Sequence, residues 1–239
     1  MKLRGVLLCG GEGTRLRPMT EVVNKHLIRV LDLPMAEYPL RQMIACGIDE
    51  FFIVTGGENF AAVVKYFGSG AKWNVRISYG IQDRAGGIAE ALGLAEWFID
   101  GCKVLVCLGD NIWNTSIYDQ VAKFMKEPDD TAALFTIESQ TPERFGVLKF
   151  EDGKPVDVLE KPNPAPSNWI LTGIYGYGPG VFSVIKTLTP SARGELEITD
   201  VNRHYIRAGK ASIFKMRGWW SDCGTMETLL ATEEKLRHD

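Results

Sequence analysis

Apolar residues in the first 130 positions alternate between two spacings. Short β-rich apolar runs predict strands over 3–9, 50–55, 75–81 and 103–108. Between them apolar positions recur at helical spacing and predict helices over 36–46, 58–67, 88–98 and 116–126. Parallel strands need helical crossovers, so these units predict a doubly wound, mostly parallel α/β sheet covered on both faces, with ligands at the carboxyl ends of its strands. After Asp130 the pattern turns to extended segments over 131–138, 146–150, 156–160 and 170–177. Asp152-Gly153 and Pro162-Asn163-Pro164 supply turns between them, and a β-rich lobe is expected. Helical spacing returns over 179–187 and 197–208, a strand follows at 211–216, and a helix over 225–237 is the last element. With no internal repeat or flexible linker, one domain over 1–239 is expected, built from halves 1–130 and 131–239.

Composition narrows the function more than the fold. Hydrophobic content of 45% and charged content of 24% are those of a globular chain. A net charge of −3 gives no drive toward nucleic acid or an anionic membrane, so a local basic patch would serve a small anionic ligand. No run approaches the roughly 20 apolar residues of a membrane span and no signal-peptide pattern opens the chain, so a cytoplasmic location is expected. Cys9, Cys46, Cys102, Cys107 and Cys223 form an odd set without C-x-x-C spacing and read as reduced core residues. His26, His204 and His238 lie far apart, which argues against a zinc site or a Ser-His-Asp arrangement; any metal should be held by oxygen.

The chemistry concentrates where strand 3–9 runs into Gly10-Gly11-Glu12-Gly13-Thr14-Arg15-Leu16-Arg17-Pro18. Three glycines let the backbone turn sharply and expose N–H groups, and Arg15 adds a planar fork of donors, which suits a polyphosphate. The P-loop ending Gly-Lys-Ser/Thr is missing, and Leu16 stands where the dinucleotide fingerprint needs glycine. A tight solvated turn with an incidental arginine would also account for the loop taken alone.

Further candidates lie at other strand ends. Asp110 follows the buried-type strand Val104-Leu105-Val106-Cys107-Leu108 and the permissive Gly109, and Asp222 sits in Gly218-Trp219-Trp220-Ser221-Asp222-Cys223-Gly224. Two carboxylates plus substrate phosphates are how Mg²⁺ is commonly bound; each aspartate would also serve as a turn or cap residue. Lys25 follows the loop in Asn24-Lys25-His26-Leu27. Pro162 denies a helix after Glu160-Lys161, so these two side chains are expected on opposite faces of a strand end or splayed by a turn. Lysines on solvated faces are the plain alternative.

In order along 3–230, the strings G-G-x-G-T-R-L-x-P, N-K-H-L, Gln82 with Gly86-Gly87-Ile88-Ala89, L-G-D-N, Glu143-Arg144-Phe145-Gly146-Val147, E-K-P, Thr172-Gly173-Ile174-Tyr175 and Pro190-Ser191-Ala192-Arg193-Gly194-Glu195-Leu196-Glu197-Ile198-Thr199-Asp200 resemble the glucose-1-phosphate thymidylyltransferases among the sugar-1-phosphate nucleotidyltransferases. The last string is the most specific of these, and the chain resembles the family's shorter members. The resemblance implies that glucose 1-phosphate attacks the α-phosphorus of dTTP in line, with Mg²⁺ as cofactor and a homo-oligomer, dimer or tetramer, as the working form.

It further implies residue roles. Arg15 and Lys25 would bind the triphosphate and the departing pyrophosphate, Lys161 the sugar phosphate, and Asp110 with Asp222 the metal. Leu8, Gly10, Gly11, Gly13, Thr14, Gln82, Gly87 and Asp110 would bind the nucleotide, with Gln82 and the backbone of Leu8 and Gly87 reading the base. Asn111, Gly146, Glu160, Lys161, Thr172 and Gly173 would bind the sugar phosphate. Arg193 is either a sugar-side contact or part of a helix cap over 191–199. Arg29 stands where the family pattern has proline and is expected to loosen the loop or alter triphosphate binding; Cys9 and Met226 also depart from the pattern. A UTP- or CTP-preferring transferase and a non-catalytic nucleotide-sugar sensor remain the rival readings.

Overall fold

The computed structural model describes residues 2–239. In chain order the elements are β1 Leu3–Cys9, β2 Arg29–Val30, β3 Leu33–Pro34, α1 Glu37–Ala45, β4 Glu50–Gly56, α2 Phe60–Phe67, β5 Arg76–Gln82, α3 Ile88–Gly93, α4 Glu96–Ile99, β6 Lys103–Leu108 and β7 Asn111–Trp113. They continue with α5 Tyr118–Phe124, β8 Ala132–Glu138, β9 Gly146–Glu151, β10 Lys154–Glu160, β11 Trp169–Tyr177, α6 Val181–Ile185, α7 Ile198–Arg207, β12 Ala211–Lys215, β13 Trp220–Asp222 and α8 Met226–Arg237.

Nine strands form one sheet. Its main path runs β10-β9-β11-β6-β1-β4-β5, with β8 paired to β11 and β12. β6, β1, β4 and β5 are mutually parallel, whereas β11 lies antiparallel against β6 and carries the sheet into the second half. The chain leaves β1 toward β4 and β5, then returns across it to β6. That reversal of direction between β1 and β6 creates the crevice in which open α/β sheets bind ligands.

Alternation along the central strands fills both faces. Val6, Leu8, Val104 and Val106 pack with Leu92, Phe182 and Val201 of α3, α6 and α7. Leu7, Cys9, Leu105 and Cys107 pack on the other face with Leu40, Val63 and Val121 of α1, α2 and α5. Two buried faces explain why these strands read as unbroken apolar runs. The predicted helix over 88–98 is broken at Gly93 into α3 and α4, consistent with glycine's low helix propensity. The two-residue hairpin β2–β3 and the small β7–β13 sheet carry too few residues to show a period, and the sequence pattern misses both.

The amino ends of the strands are closed by charge. Glu50 receives Lys2 and the Arg4 Nε at 2.8 Å each, and Arg76 also pairs with it. Hydrogen bonds from Lys2 and Arg4 hold the Glu50 carboxyl down at about 2. A carboxyl lowered in this way stabilises the fold above its ordinary value near 4.5, and that contribution fades as pH falls from there toward 2. Glu50→Gln should therefore lower the urea midpoint at pH 7 and leave little difference from wild type near pH 2. A constant gap across that range would contradict the assignment.

Candidate active site

The opposite, carboxyl ends of the strands open into a cleft with two chambers. The smaller, about 240 Å³, is walled by Leu8, Gly10, Gln82, Gly87, Lys25 and His26 among others. The larger, about 820 Å³, includes Thr14, Arg15, Asn111, Gly146, Glu160, Lys161, Thr172, Gly173 and Asp222 in its wall. Gly11, Ile88, Leu108, Asp110 and Glu195 border both. Asp110 thus stands at the junction.

Close backbone approach builds that junction. Gly109 donates its N–H to the Leu8 carbonyl at 2.8 Å, and a Cβ there would lie 2.7 Å from the His26 ring. Gly13, at φ 65°, is on neither wall; a Cβ on it would come within 2.9 Å of the Lys25 side chain, so its bareness admits Lys25 beneath the loop. Lys25 Nζ then reaches Asp110 Oδ2 at 2.7 Å, with both side chains about 15% exposed. Burial pushes the Asp110 carboxyl up, but the Lys25 charge and hydrogen bonds from Lys25 and Asn111 outweigh it and hold it well below the usual carboxylate range. Burial and Lys25 push the His26 imidazole down to about 3, so it stays neutral behind the pair.

The small β7–β13 ladder brings the second acid alongside. Asn111 pairs with Asp222 across it, and the Cys223 N–H donates to the Asp110 carbonyl at 2.8 Å. Burial, reinforced by the Asp110 charge, raises the Asp222 carboxyl to about 6 against the pull of Arg144 and Arg15. Arg144 lies 3.8 Å from it. Two neighbouring carboxylates, one raised by the other, leave negative charge that a divalent cation would offset. Among the described residues no group of three or more His, Cys, Asp or Glu forms a metal cage. A pair of acids facing an open cleft nonetheless fits Mg²⁺, which takes few protein ligands beside phosphate oxygens and water.

One wall of the larger chamber rests on an irregularity in β11. Its pairing with β8 shifts between Leu171 and Tyr175, and Thr172-Gly173 lie in the gap. The Gly173 N–H instead donates to Asn111 Oδ1 at 2.8 Å, which Trp220 Nε1 also reaches at 2.9 Å. Asn111 Nδ2 in turn donates to Asp110 Oδ1 at 2.9 Å, so this buried amide braces the Asp110 carboxylate. Thr172 Oγ1 donates to the Phe135 carbonyl. Bulges of this kind re-aim side chains beside active sites.

Glu160 and Lys161 depart from expectation. Rather than lying on opposite faces or splaying apart, they meet, with Lys161 Nζ 3.4 Å from Glu160 Oε1, because Lys161 takes a left-handed backbone at φ 43° and turns its side chain back. Thr199 Oγ1 donates to the second oxygen of Glu160, and Arg193 lies 3.5 Å from the first. Arg193 bonds Glu197 through Nε and Nη2 and borders the larger chamber; α7 begins without a side-chain cap bond, so the 191–197 turn is an ion-pair lattice. Arg29 lies apart from the cleft. Its guanidinium donates to the Asp32 carbonyl across the β2–β3 turn, where it clasps its own hairpin and borders neither chamber. Trp220 walls the cleft, whereas Trp219 turns away to Asp239 at 2.8 Å.

Residues the sequence reading did not single out complete the walls. Arg144 and Glu195 both stand in segments that carry the family resemblance, with no role implied for either; Glu195 closes over both chambers because Leu196 and Gly86 share a backbone bond of 2.8 Å. No periodicity or motif spacing reports such a contact between distant loops.

A switch-point cleft with a glycine turn, paired cations and two acids defines a nucleotide-handling transferase. The chain belongs to the nucleotidyl transferase family, whose model matches residues 4–239. It is 39% identical over 230 residues to a glucose-1-phosphate thymidylyltransferase of Neisseria meningitidis, covering 95% of this chain and 80% of that one. A namesake from an Actinoplanes species is 37% identical over 240 residues, covering 98% and 78%. A Bacillus anthracis crystal structure in complex with a sucrose, provisionally named a glucose-1-phosphate thymidylyltransferase, superposes with a TM-score of 0.94 at 42% identity over 100% of this chain and 96% of that one. A UDP-glucose pyrophosphorylase bound to UDP-glucose, 24% identical with a TM-score of 0.88, shares the fold.

Asp110→Asn keeps the side chain's size and removes the charge that Lys25 faces. Turnover should fall by at least 10³-fold, about 4 kcal/mol in the barrier, in protein that circular dichroism shows to be folded at the assay temperature. A rate within tenfold of wild type would contradict a central role for Asp110.

Proposed function

We propose that the protein joins dTTP and glucose 1-phosphate to give dTDP-glucose and pyrophosphate. The observation that carries this reading is the position of Asp110, paired to Lys25 at 2.7 Å on the boundary of two chambers of unequal size and polarity. The smaller chamber, walled by backbone, Leu8 and Gln82, suits a flat base. The larger, with Glu160, Lys161 and Arg193, suits a sugar and its phosphate. Their junction is where the α-phosphate would lie.

The reaction brings two anions together. Unit charges about 4 Å apart repel by roughly 4 kcal/mol at an effective dielectric of 20, so positive charge must enter with them. Arg15 at the chamber mouth would take the β- and γ-oxygens and the leaving pyrophosphate, with Lys25 beside the α-phosphate. Lys161, turned back beside Glu160, would hold the attacking sugar phosphate while Glu160 accepts a sugar hydroxyl. A phosphate monoester with a second pKa near 6 is already dianionic at neutral pH, so no general base is required and the side chains act by orientation and charge. Asp110 and Asp222 would hold a magnesium ion, which when bound offsets phosphate charge. The setting we propose is the cytoplasm: all five cysteines are free thiols, three of them buried, and among the described residues no helix is long and apolar enough to cross a membrane.

Incubation with glucose 1-phosphate, Mg²⁺ and each nucleoside triphosphate should release pyrophosphate fastest with dTTP, with dTDP-glucose accumulating in equal amount. Pyrophosphate release from none of them would leave the sensor reading; preference for CTP would reassign the base.

A further inference from the structure

Gln82 lies at the end of β5 with its amide on the wall of the smaller chamber. Its Nε2 donates to two acceptors, the Gly87 carbonyl and Glu90 Oε1, each at 3.1 Å. A carboxylate and a carbonyl accept only, so the amide has one permitted orientation, with nitrogen toward Glu90 and oxygen away from it. The oxygen faces Gly10, 3.4 Å from where a Cβ on that glycine would stand, and among the described residues no protein donor engages it. Glu90 is itself built in. Arg84 Nη2 donates to its Oε2 at 2.6 Å, and any Cβ on Gly86 would fall about 2.0 Å from its carboxylate. The bare backbone at Gly86 is what lets the carboxylate sit there.

We propose that Glu90 is a positioning residue for base choice: by fixing the Gln82 amide, it presents a lone acceptor to the chamber and selects pyrimidines whose ring N3 carries hydrogen. Thymine and uracil offer that N–H. Cytosine offers a lone pair at N3, and acceptor would face acceptor unless the amide reversed; reversal would press its oxygen against the Glu90 carboxylate. The proposal rests on the smaller chamber being the base site. It assigns the choice between keto and amino pyrimidines to a residue outside the chamber wall, and leaves discrimination of thymine from uracil to other contacts.

Glu90→Gln is isosteric and keeps an oxygen for Arg84, but its own amide can turn either face to Gln82, which removes the charged half of the lock and leaves only the Gly87 carbonyl to oppose reversal. Equilibrium titration of wild type and Glu90→Gln with dTTP and with dCTP tests it. Wild type should bind dTTP at least tenfold more tightly than dCTP. In the variant that ratio should shrink by about tenfold or more, partly through tighter binding of dCTP, a gain that a merely damaged pocket would not produce. Pyrophosphate assays should show the change in KM, with kcat for dTTP within about twofold. A wild-type preference that Glu90→Gln leaves intact would overturn the role of Glu90 alone. Wild type without preference, or without binding, would overturn the base-site reading and the proposal with it.

Discussion

The 2.7 Å contact between Lys25 and Asp110 is the interaction around which the cleft is arranged. Neither partner is stable alone in that place. A buried carboxylate without its cation, or the reverse, is far costlier than the pair, so the surrounding chain is constrained to keep them together. Gly13 must lack a side chain to admit Lys25, Gly109 must lack one to bring the end of β6 against β1, and His26 stays neutral so that no third charge competes. Asn111 then holds the other carboxylate oxygen, and through the Gly173 N–H and Trp220 Nε1 links the pair to β11 and β13.

Around this pair, charge is unevenly shared. Asp110 is held ionised, whereas Asp222 is raised by burial and by its neighbour. Arg15, Arg144 and Lys161 approach from the larger chamber but are more exposed, placed to follow a ligand rather than to neutralise the floor. On the proposed function such a site would bind polyphosphate and cation together more readily than either alone, because each offsets charge that the other brings. The amino ends of the same strands, closed by Glu50 and its basic partners, contribute to the rigidity of the sheet and take no part in this exchange.

Much of the architecture was legible because it follows from local regularity. Strands buried on both faces and helices at regular spacing gave the wound sheet, and the loop after β1 and Asp110 after β6 fell where such sheets bind ligands. What stayed hidden depends on contacts between distant segments. The β7–β13 ladder, which brings Asp222 to Asp110, is three residues long on each side. The left-handed backbone of Lys161, the self-contained Arg29 and the network joining Gln82, Arg84 and Glu90 leave no trace in a hydrophobic pattern. The family resemblance implies roles for Lys161 and Gln82, and the geometry adds how each is held.

The proposed reaction requires one cleft to hold base, triphosphate and sugar phosphate in line across Asp110. A crystal structure with an α,β-imido analogue of dTTP, glucose 1-phosphate and Mg²⁺ tests it most directly. The expected complex has the base against Gln82, the α-phosphate beside Lys25 and Asp110, and the sugar phosphate within hydrogen-bonding distance of Lys161. A nucleotide bound with its base in the larger chamber, or a sugar phosphate remote from Lys161, would contradict it.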